Sequence, residues 1–425
     1  MMRASLFTSN SNQCRRFTSV VLTVILFVAV GLILNNYLFD DSTLELKEKY
    51  NQMYSSDTNY DTIIVGSSHA KQGFVEEIID DITGCNAINL GSNLQCLDGS
   101  LAIIKEANKY NDIKLVYLEL FYWIAMRGNY EDRTELTGTY IVSDPMKPSM
   151  DKWAYLVNAS SPDYWVNSFI PARRYWYKLF DLSRFLEDEQ QNDLIINEGL
   201  NNQPQENKWK EWSSEAISNI RLDSNISDWK NSLMAIVEYC DDNGIKLCLV
   251  VTPEPSISIL GKRNYDEYYE FIRTFSDDHH VEYLDFNLAR KEFFDTNDYS
   301  MFKDGDHLNG EGAQKFSRLL GDYRNGDIPY DQLFYKNYRE KMMDQEGQVF
   351  GLAGPIYVND SCYGARLITN IELPGVFTIK INYDDGNVVE IPQVSSEDTF
   401  YYDKNRHGHI LVLEGSEKTQ WGFEF

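Results

Sequence analysis

The sequence predicts an α/β protein built on one parallel sheet, with an apolar N-terminal helix, a helical insertion and a small C-terminal β module. Short apolar runs alternate with segments of helical periodicity, which is typical of a parallel sheet covered by helices on both faces. The predicted strands are 62–65, 87–90, 115–120, 245–251 and 281–286. The predicted helices are 70–80, 97–110, 228–243, 265–275 and 310–320.

The N-terminal segment carries no charged residue between Arg16 and Asp40. As a helix, residues 17–39 would span about 34 Å, enough to cross the hydrocarbon core of a bilayer. Three arginines and no acidic residue lie in the first 16 positions. The positive-inside rule therefore predicts a cytoplasmic tail (1–16), a single-pass anchor in the cell membrane (17–39) and an extracytoplasmic remainder. A cleaved signal peptide, with a small-residue site at 29–31, is the alternative.

The composition is strongly acidic, with 39 Lys and Arg against 65 Asp and Glu and a formal net charge of −26. Nucleic acids and anionic membrane surfaces select basic patches, so neither is expected as the main partner. A neutral or cationic ligand is favoured. The 6 cysteines lack the paired spacing of a zinc site and are too few for a disulfide scaffold in 425 residues.

Two further segments differ from the predicted sheet in character. Residues 122–227 separate the third and fourth strands and are rich in aromatic residues and arginine. They are interpreted as a helical cap that packs on the sheet, or as a lid whose rings stack on sugars. After a helix near 330–343, residues 345–425 alternate with period two, and "INYDDGNVVEI" is typical of a hairpin. This module is predicted to be β-sandwich-like, and either glycan binding or packing against a partner would suit it.

Polar residues follow three of the predicted strands, where the carboxyl ends of a parallel sheet meet at one edge. They are Ser67, Ser68 and His69 after the first strand, Gly91, Ser92 and Asn93 after the second, and Asp304, Asp306 and His307 after the fifth. A serine nucleophile needs a histidine base and an acid that orients the imidazole. A glycine after the second strand would let a backbone N–H approach an oxyanion.

The spacing Asp-x-x-His occurs twice, at Asp277–His280 and at Asp304–His307. The first pair precedes the fifth strand and so lies at the wrong edge, which selects His307. Each motif also has a simpler interpretation. The serine pair would serve as a helix N-cap, and the Asp304 loop resembles a calcium loop at some positions but not at the others. No metal and no cofactor are expected.

The segments "IIVGSSHA" and "DGDHLNGEGAQKF" resemble the first and last blocks of the SGNH/GDSL hydrolase superfamily. The resemblance covers about 58–322 of a domain predicted at 58–328 and leaves the insertion unmatched. It implies a flavodoxin-like, three-layer α/β/α fold. It also implies that Ser68 is the nucleophile, His307 the base, Asp304 the orienting acid and Gly91 the oxyanion glycine.

Two departures from the family pattern stand out. The third block, Gly-x-Asn-Asp, is absent, and Glu119, Phe121 and Tyr122 follow the third strand instead. In the family, the Asn of this block donates a hydrogen bond to the oxyanion. Here Asn93 or backbone N–H groups would replace it. Ser67 occupies the position of the first-block Asp. His69 lacks an evident acid partner and is predicted at the rim of the site, where it could touch the acceptor.

The overall layout resembles membrane-anchored branches of this superfamily that act on envelope polymers. The expected activity is that of a serine esterase or O-acyltransferase that acts on a cell-surface polysaccharide. A membrane-bound acyltransferase partner would supply the acyl group. One alternative is DltD-like D-alanyl transfer to teichoic acid, which would need Arg173, Arg174 and Arg184 to form a basic groove. The other is a catalytically weak glycan-binding scaffold, favoured by the missing third block.

Overall fold

The protein is described by a computed structural model. It describes residues 15–31 except 24, 27 and 28, and residues 43–425 except 56, 123–135, 176–219, 221–225, 261, 263, 345–348, 370–375, 396–397 and 415–416.

The central element is a five-stranded parallel sheet, and the predicted sheet is confirmed. Its strands are β1 (Thr62–Val65), β2 (Ala87–Asn89), β3 (Leu115–Glu119), β4 (Lys246–Val251) and β5 (Glu282–Asp285). They lie in the order β2-β1-β3-β4-β5, which is the flavodoxin-like order. Nearly every strand residue is buried, because helices cover the sheet.

Helices connect and cover these strands. They are α1 (Leu44–Met53), α2 (Ser68–Gly73), α3 (Glu76–Thr83), α4 (Leu97–Tyr110), α5 (Thr137–Ser143), α6 (Met150–Ala159), α7 (Trp165–Phe169), α8 (Pro171–Tyr175), α9 (Ile226–Asp242), α10 (Ser256–Leu260), α11 (Tyr265–His279), α12 (Gly310–Asn325), α13 (Tyr330–Leu333) and α14 (Tyr338–Asp344). On one side α3 packs against α12, and elsewhere α4 packs against α6 and α9.

The helix predicted at 70–80 is two helices, α2 and α3. Phe74 ends α2 in an extended conformation. The side-chain amide of Asn89 donates to the carbonyl oxygens of Ala70 and Phe74, at 2.9 and 3.1 Å. A side chain from β2 thus satisfies backbone acceptors at the break, which helical periodicity alone does not reveal.

The described N-terminal residues are helical and expose large apolar side chains. Phe17 is 72 % exposed, Leu26 64 % and Val20 61 %. Among the described residues, no helix combines the length and the apolar character that crossing a membrane requires. The predicted anchor at 17–39 lies partly outside the described residues.

Helix α1 packs along the α/β domain from one edge of the sheet to the other. Near its start, Glu45 pairs with Lys71 of α2 at 2.6 Å, beside the carboxyl edge of the sheet. At its end, the backbone oxygen of Met53 accepts a hydrogen bond from Asn111, which caps α4 just before β3 begins. The start of α1 therefore lies at the edge where the polar residues gather.

The described part of the insertion is helical and contains one buried ion pair. Arg174 binds both carboxylate oxygens of Asp144, and the two side chains are 8 % and 4 % exposed. The guanidinium also stacks on Tyr140, 3.7 Å from the ring centroid. The charge of Arg174 is therefore neutralised by Asp144 within the insertion. Residues 123–135 and 176–219, including Arg184, lie outside the described residues.

The C-terminal module consists of two antiparallel sheets. One contains β6 (Val349–Asn359), β7 (Cys362–Thr369) and β10 (Phe400–Asp403); the other contains β8 (Phe377–Tyr383), β9 (Val388–Val394), β11 (Gly408–Glu414) and β12 (Glu417–Glu424). Buried apolar residues of both sheets form one cluster, separate from the core of the α/β domain. Two sheets that share a core make a sandwich.

Among the described residues no disulfide is formed, and Cys248 lies in the core on β4.

Candidate active site

The turn after β1 separates the roles of the two serines. Gly66 has a φ of +147°, a conformation that disfavours other residues. Ser67 caps α2: its backbone is extended, and its hydroxyl accepts a hydrogen bond from the N–H of His69. Ser68 is the first residue of α2 and is half-buried, and its hydroxyl takes no part in the cap. The N-cap interpretation and the nucleophile interpretation therefore apply to different members of the pair.

The structure brings Ser68 and His307 together across 239 positions of sequence. Ser68 Oγ lies 2.8 Å from His307 Nε2. On the other side of the ring, His307 Nδ1 lies 3.0 Å from each carboxylate oxygen of Asp304. This is the serine–imidazole–carboxylate arrangement that activates a hydroxyl as a nucleophile.

A second carboxylate, that of Asp306, also reaches this imidazole. Its Oδ1 lies 2.8 Å from His307 Nδ1. Asp304 additionally accepts the backbone N–H groups of Asp306 and His307, at 3.1 and 2.8 Å, so it braces the loop as well as the ring. The sequence pattern places both acids near the histidine but does not show that both contact it.

The two acids control the charge of the base. Burial disfavours the imidazolium, but hydrogen bonds and charge from Asp304 and Asp306 outweigh it and raise the pKa of His307 to about 9. Burial alone would raise the pKa of Asp304; the hydrogen bond from His307 and its charge instead hold it well below the usual range. In the resting protein at neutral pH, His307 is therefore mostly protonated.

His69 is buried behind the base, and its prediction as a rim residue is wrong. Its side chain is 3 % exposed and stacks on Phe121 and His307, with centroids 3.8 and 4.4 Å apart. Its Nε2 lies 3.0 Å from the backbone oxygen of Asp306. Burial, then the nearby charge of His307, lowers the pKa of His69 well below its usual value, so the ring stays neutral. A neutral ring here supports His307 by packing.

The structure gives Gly91 a different role from the predicted oxyanion donor. Its N–H donates to Asn89 Oδ1 at 3.0 Å and is therefore already used. A Cβ at this position would lie 2.7 Å from Ala70 Cβ and from the backbone nitrogen of Lys71. Glycine is required here because the loop after β2 approaches α2 closely.

Two other donors are available for an oxyanion. The backbone N–H of Ser68 opens α2, where helical N–H groups have no intrahelical acceptor. Asn93 is half-buried in the loop after β2, and its side chain makes no hydrogen bond to the described residues. The prediction that Asn93 or backbone groups replace the missing family donor stays a prediction.

Glu119 is the residue whose contact with the turn sequence reasoning missed. It ends β3, is 3 % exposed, and its Oε2 accepts the N–H of Ser67 at 3.0 Å and the hydroxyl of Ser67 at 2.8 Å. A buried carboxylate from the neighbouring strand thus binds the residue before Ser68. An acid inside the apolar run "LVYLELFYW" was the available signal.

Among the described residues, His69, Asp306 and His307 form the one group with metal-ligand atoms close together, all within 4.8 Å. The two imidazole planes are inclined by only 22°, so they are stacked. Nitrogen lone pairs lie in the ring planes, and those of stacked rings run side by side instead of converging on one ion. The arrangement fits proton transfer better than metal binding.

No protein-family model and no curated protein matches the chain. Twelve solved chains match this one, and three of them are as follows. The first, described as a platelet activating factor from Streptococcus pneumonia, has 15 % identity and a TM-score of 0.31, and the match covers 70 % of this chain and 99 % of that one. An acylhydrolase by description, from Bacteroides fragilis, has 11 % identity, a TM-score of 0.30 and coverage of 66 % and 97 %.

The third, from Desulfitobacterium hafniense, is described as a lipolytic protein of the G-D-S-L family. It has 9 % identity, a TM-score of 0.30 and coverage of 63 % and 99 %. Likeness at this level does not transfer an activity to this chain. Its chemistry has to be inferred from its own side chains.

Proposed function

We propose that this chain is an SGNH-type serine esterase or O-acyltransferase that works through an acyl-enzyme on Ser68. One observation supports this above all: Ser68 Oγ, His307 and Asp304 form a continuous hydrogen-bonded series, with distances of 2.8 and 3.0 Å. A capping serine or a surface Asp-x-x-His turn would not need this alignment.

The proposed reaction has two halves. Ser68 Oγ attacks the ester carbonyl carbon while His307 Nε2 takes the hydroxyl proton, which forms a tetrahedral oxyanion. The oxyanion collapses, the C–O bond to the leaving alcohol breaks, and His307 returns the proton to that alcohol. A second hydroxyl, from a sugar or from water, then attacks the acyl-Ser68 with His307 again as base, and Ser68 is regenerated.

We infer further that the acceptor is an uncharged cell-surface polysaccharide and that the chain is anchored in the cell membrane with its bulk outside. The strong net negative charge favours a neutral acceptor, since a polyanion would be repelled. Exposed apolar residues on the N-terminal helix, such as Phe17 and Leu26, support a lipid environment. The exposed rings of Trp153 and Tyr164 offer sugar-stacking surfaces on the insertion. A membrane-bound acyltransferase would supply the acyl group.

D-alanyl transfer to teichoic acid receives less support. That acceptor is anionic and would need a basic groove, yet Arg174 is committed to Asp144 inside the insertion. Arg173 is exposed and Arg184 lies outside the described residues. The net charge of −26 favours an acceptor without phosphate groups.

Labelling with a fluorophosphonate probe tests the proposed nucleophile. The full chain in detergent should react at about pH 9, where half of His307 is deprotonated. Ser68→Ala should abolish labelling, whereas Ser361→Ala, an exposed serine of the C-terminal module, should not change it. A folded wild-type protein that does not react would contradict the proposal.

Acyl transfer and hydrolysis are separated by adding an acceptor. With p-nitrophenyl acetate as donor, a neutral oligosaccharide should speed nitrophenol release and gain the mass of an acetyl group. If sugars do not change the rate of nitrophenol release and acetate is the other product, the activity is that of an esterase.

Carbonate extraction of cell membranes tests the anchor. The full chain should stay with the membranes, and its release would contradict anchoring.

A further inference from the structure

Glu119 is locked against the turn that carries Ser68. A Cβ on Gly66 would lie 2.6 Å from Glu119 Cβ and 2.8 Å from its Oε2, so the carboxyl fills the space that the glycine leaves. Both donors of Ser67, its N–H and its hydroxyl, point at the same oxygen of Glu119. This contact fixes the backbone one residue before Ser68.

The same carboxyl borders the loop after β2. Glu119, Ser67, Gln95 and Ser100 line a cavity of about 10 Å³, which is room for a single water molecule. Gln95 bonds to Ser92 and Ser100, at 2.9 and 3.1 Å. Glu119 Oε1 is buried without a hydrogen-bond partner among the described residues. Glu119 is thus placed between the nucleophile turn and the loop that carries Asn93.

Other buried acids at this edge of the sheet do not contact the turn. Asp285 ends β5 and accepts the hydroxyl of Tyr265 at 2.9 Å. Glu254 follows β4, and neither of its carboxylate oxygens has a partner among the described residues. Neither acid is hydrogen-bonded to the Ser67–Ser68 turn. Glu119 differs from them because its bonds run directly to the residue before the nucleophile.

We propose that Glu119 is a positioning residue: it holds the Ser67–Ser68 turn from β3 and so aims Ser68 Oγ at His307. This inference rests on the proposed function. Glu119 touches neither the substrate nor the reacting atoms, and its effect passes through the backbone of Ser67. The ionised carboxylate, which accepts both donors of Ser67, is the form that positions the turn.

The charge state of Glu119 should be visible in the pH dependence. Burial raises its pKa to about 7, against the opposing effect of the bonds from Ser67 and the charge of His307. The titratable groups that face it are His307 before α12, Glu254 after β4 and Tyr268 on α11. Two protons must therefore leave before the site is active, one from Glu119 and one from His307.

The decisive measurement is the slope of log(kcat/KM) against pH, with p-nitrophenyl acetate and the full chain in detergent. In wild type the slope should be about two below pH 7 and about one between pH 7 and 9. Glu119→Gln should lower kcat by about tenfold to a hundredfold, since small misalignments of a nucleophile are costly. In that variant the slope should be about one at all pH values below 9.

Two variants separate positioning from general stability. Glu119→Asp keeps the charge on a shorter side chain, so it should lower the rate but retain the slope of two. Glu106→Gln changes an acid of α4 that is 1 % exposed and bonds to Tyr54, and it should leave the profile unchanged. A Glu119→Gln variant with the wild-type rate and slope would overturn the positioning role of Glu119 but not the proposed function. A wild type without Ser68-dependent turnover would overturn the proposed function.

A second readout does not depend on turnover. In Ser68→Cys, iodoacetamide should alkylate position 68, as measured by peptide mass spectrometry. Adding Glu119→Gln should slow that alkylation severalfold, and adding Glu106→Gln should not. Equal rates in all three proteins would contradict the positioning role even if no ester substrate were turned over.

Discussion

At the scale of single residues, the most consequential feature is an imidazole served by two acids. Asp304 and Asp306 both reach His307 Nδ1, at 3.0 and 2.8 Å. In a site with one such acid, its loss leaves the imidazole in the wrong tautomer and costs several orders of magnitude in rate. Here the second carboxylate can hold the tautomer when the first is removed.

We therefore expect Asp304→Asn alone to lower kcat by only about tenfold. The double variant Asp304→Asn with Asp306→Asn should lower kcat by about 10³-fold or more, since no acceptor for the Nδ1 proton is left. Steady-state hydrolysis of p-nitrophenyl acetate measures both. If Asp304→Asn is already as inactive as Ser68→Ala, Asp306 does not substitute for it.

The raised pKa of His307 predicts an alkaline activity profile. The base must be neutral to accept the proton of Ser68, so kcat/KM should rise with pH and level off only above about pH 9. Removing an acid should lower the pKa of His307, so in Asp304→Asn the plateau should begin at a lower pH. A wild-type plateau below pH 7 would show that the acids do not act on the base in this way.

Chain position was sufficient to select His307 over His280, because only one of them follows the fifth strand. It was not sufficient for His69 and Gly91. Whether the ring of His69 faces solvent or packs on His307 depends on Phe121, which follows β3. Whether the N–H of Gly91 is free depends on the rotamer of Asn89. Such contacts leave no pattern in the local sequence.

At the scale of elements, the insertion is stabilised by a buried ion pair that reaches across its helices. Asp144 follows α5 and Arg174 lies on α8, and both are almost fully removed from water. Breaking such a pair leaves one charge buried without a counter-charge, which costs several kcal/mol.

Asp144→Ala should therefore destabilise the protein by about 3 kcal/mol or more. The matched control is Asp112→Ala, which breaks an exposed pair with Lys114 whose side chains are 70 % and 63 % exposed. That change should cost less than about 1 kcal/mol. Urea unfolding followed by circular dichroism compares the two, and equal losses would argue against the buried pair as the source.

Strands and long helices follow well from the sequence, since continuous apolar runs identify buried parallel strands. The break between α2 and α3 does not, because Asn89 on β2 provides the bonds that allow it. The ion pair of the insertion is likewise a tertiary contact. The ends of a helix are thus predictable where its own hydrophobic pattern determines them. They are not predictable where a side chain from a neighbouring element determines them.

At the scale of the whole molecule, the chain has two separate hydrophobic cores. The core of the α/β domain surrounds strands such as β4, and that of the C-terminal module lies between its two sheets. The change from near-continuous apolar runs to period-two alternation predicted both architectures. Which aromatic rings of the insertion face solvent was not predictable, since this depends on tertiary packing.

Separate cores should give separable unfolding transitions in scanning calorimetry. Ile381→Ala, at a fully buried position of β8, should lower the stability of the C-terminal module by about 2–5 kcal/mol and leave ester hydrolysis intact. Leu249→Ala, equally buried on β4, should shift the other transition and reduce activity. A single transition that moves equally in both variants would show that the two units unfold as one.

With the proposed anchor in a bilayer, the path of α1 would limit how far Ser68 lies from the lipid surface. The helix begins beside α2, where Glu45 meets Lys71, and it runs away from the carboxyl edge of the sheet. Thr43, at the start of α1, is buried, so only residues 40–42 separate the packed chain from the apolar stretch, and fully extended they would reach about 10 Å. With that stretch in a bilayer, Ser68 would stay close to the lipid surface and could reach only substrates near it. Newly made polymer still held at the membrane would be within reach, whereas mature polymer farther out would not.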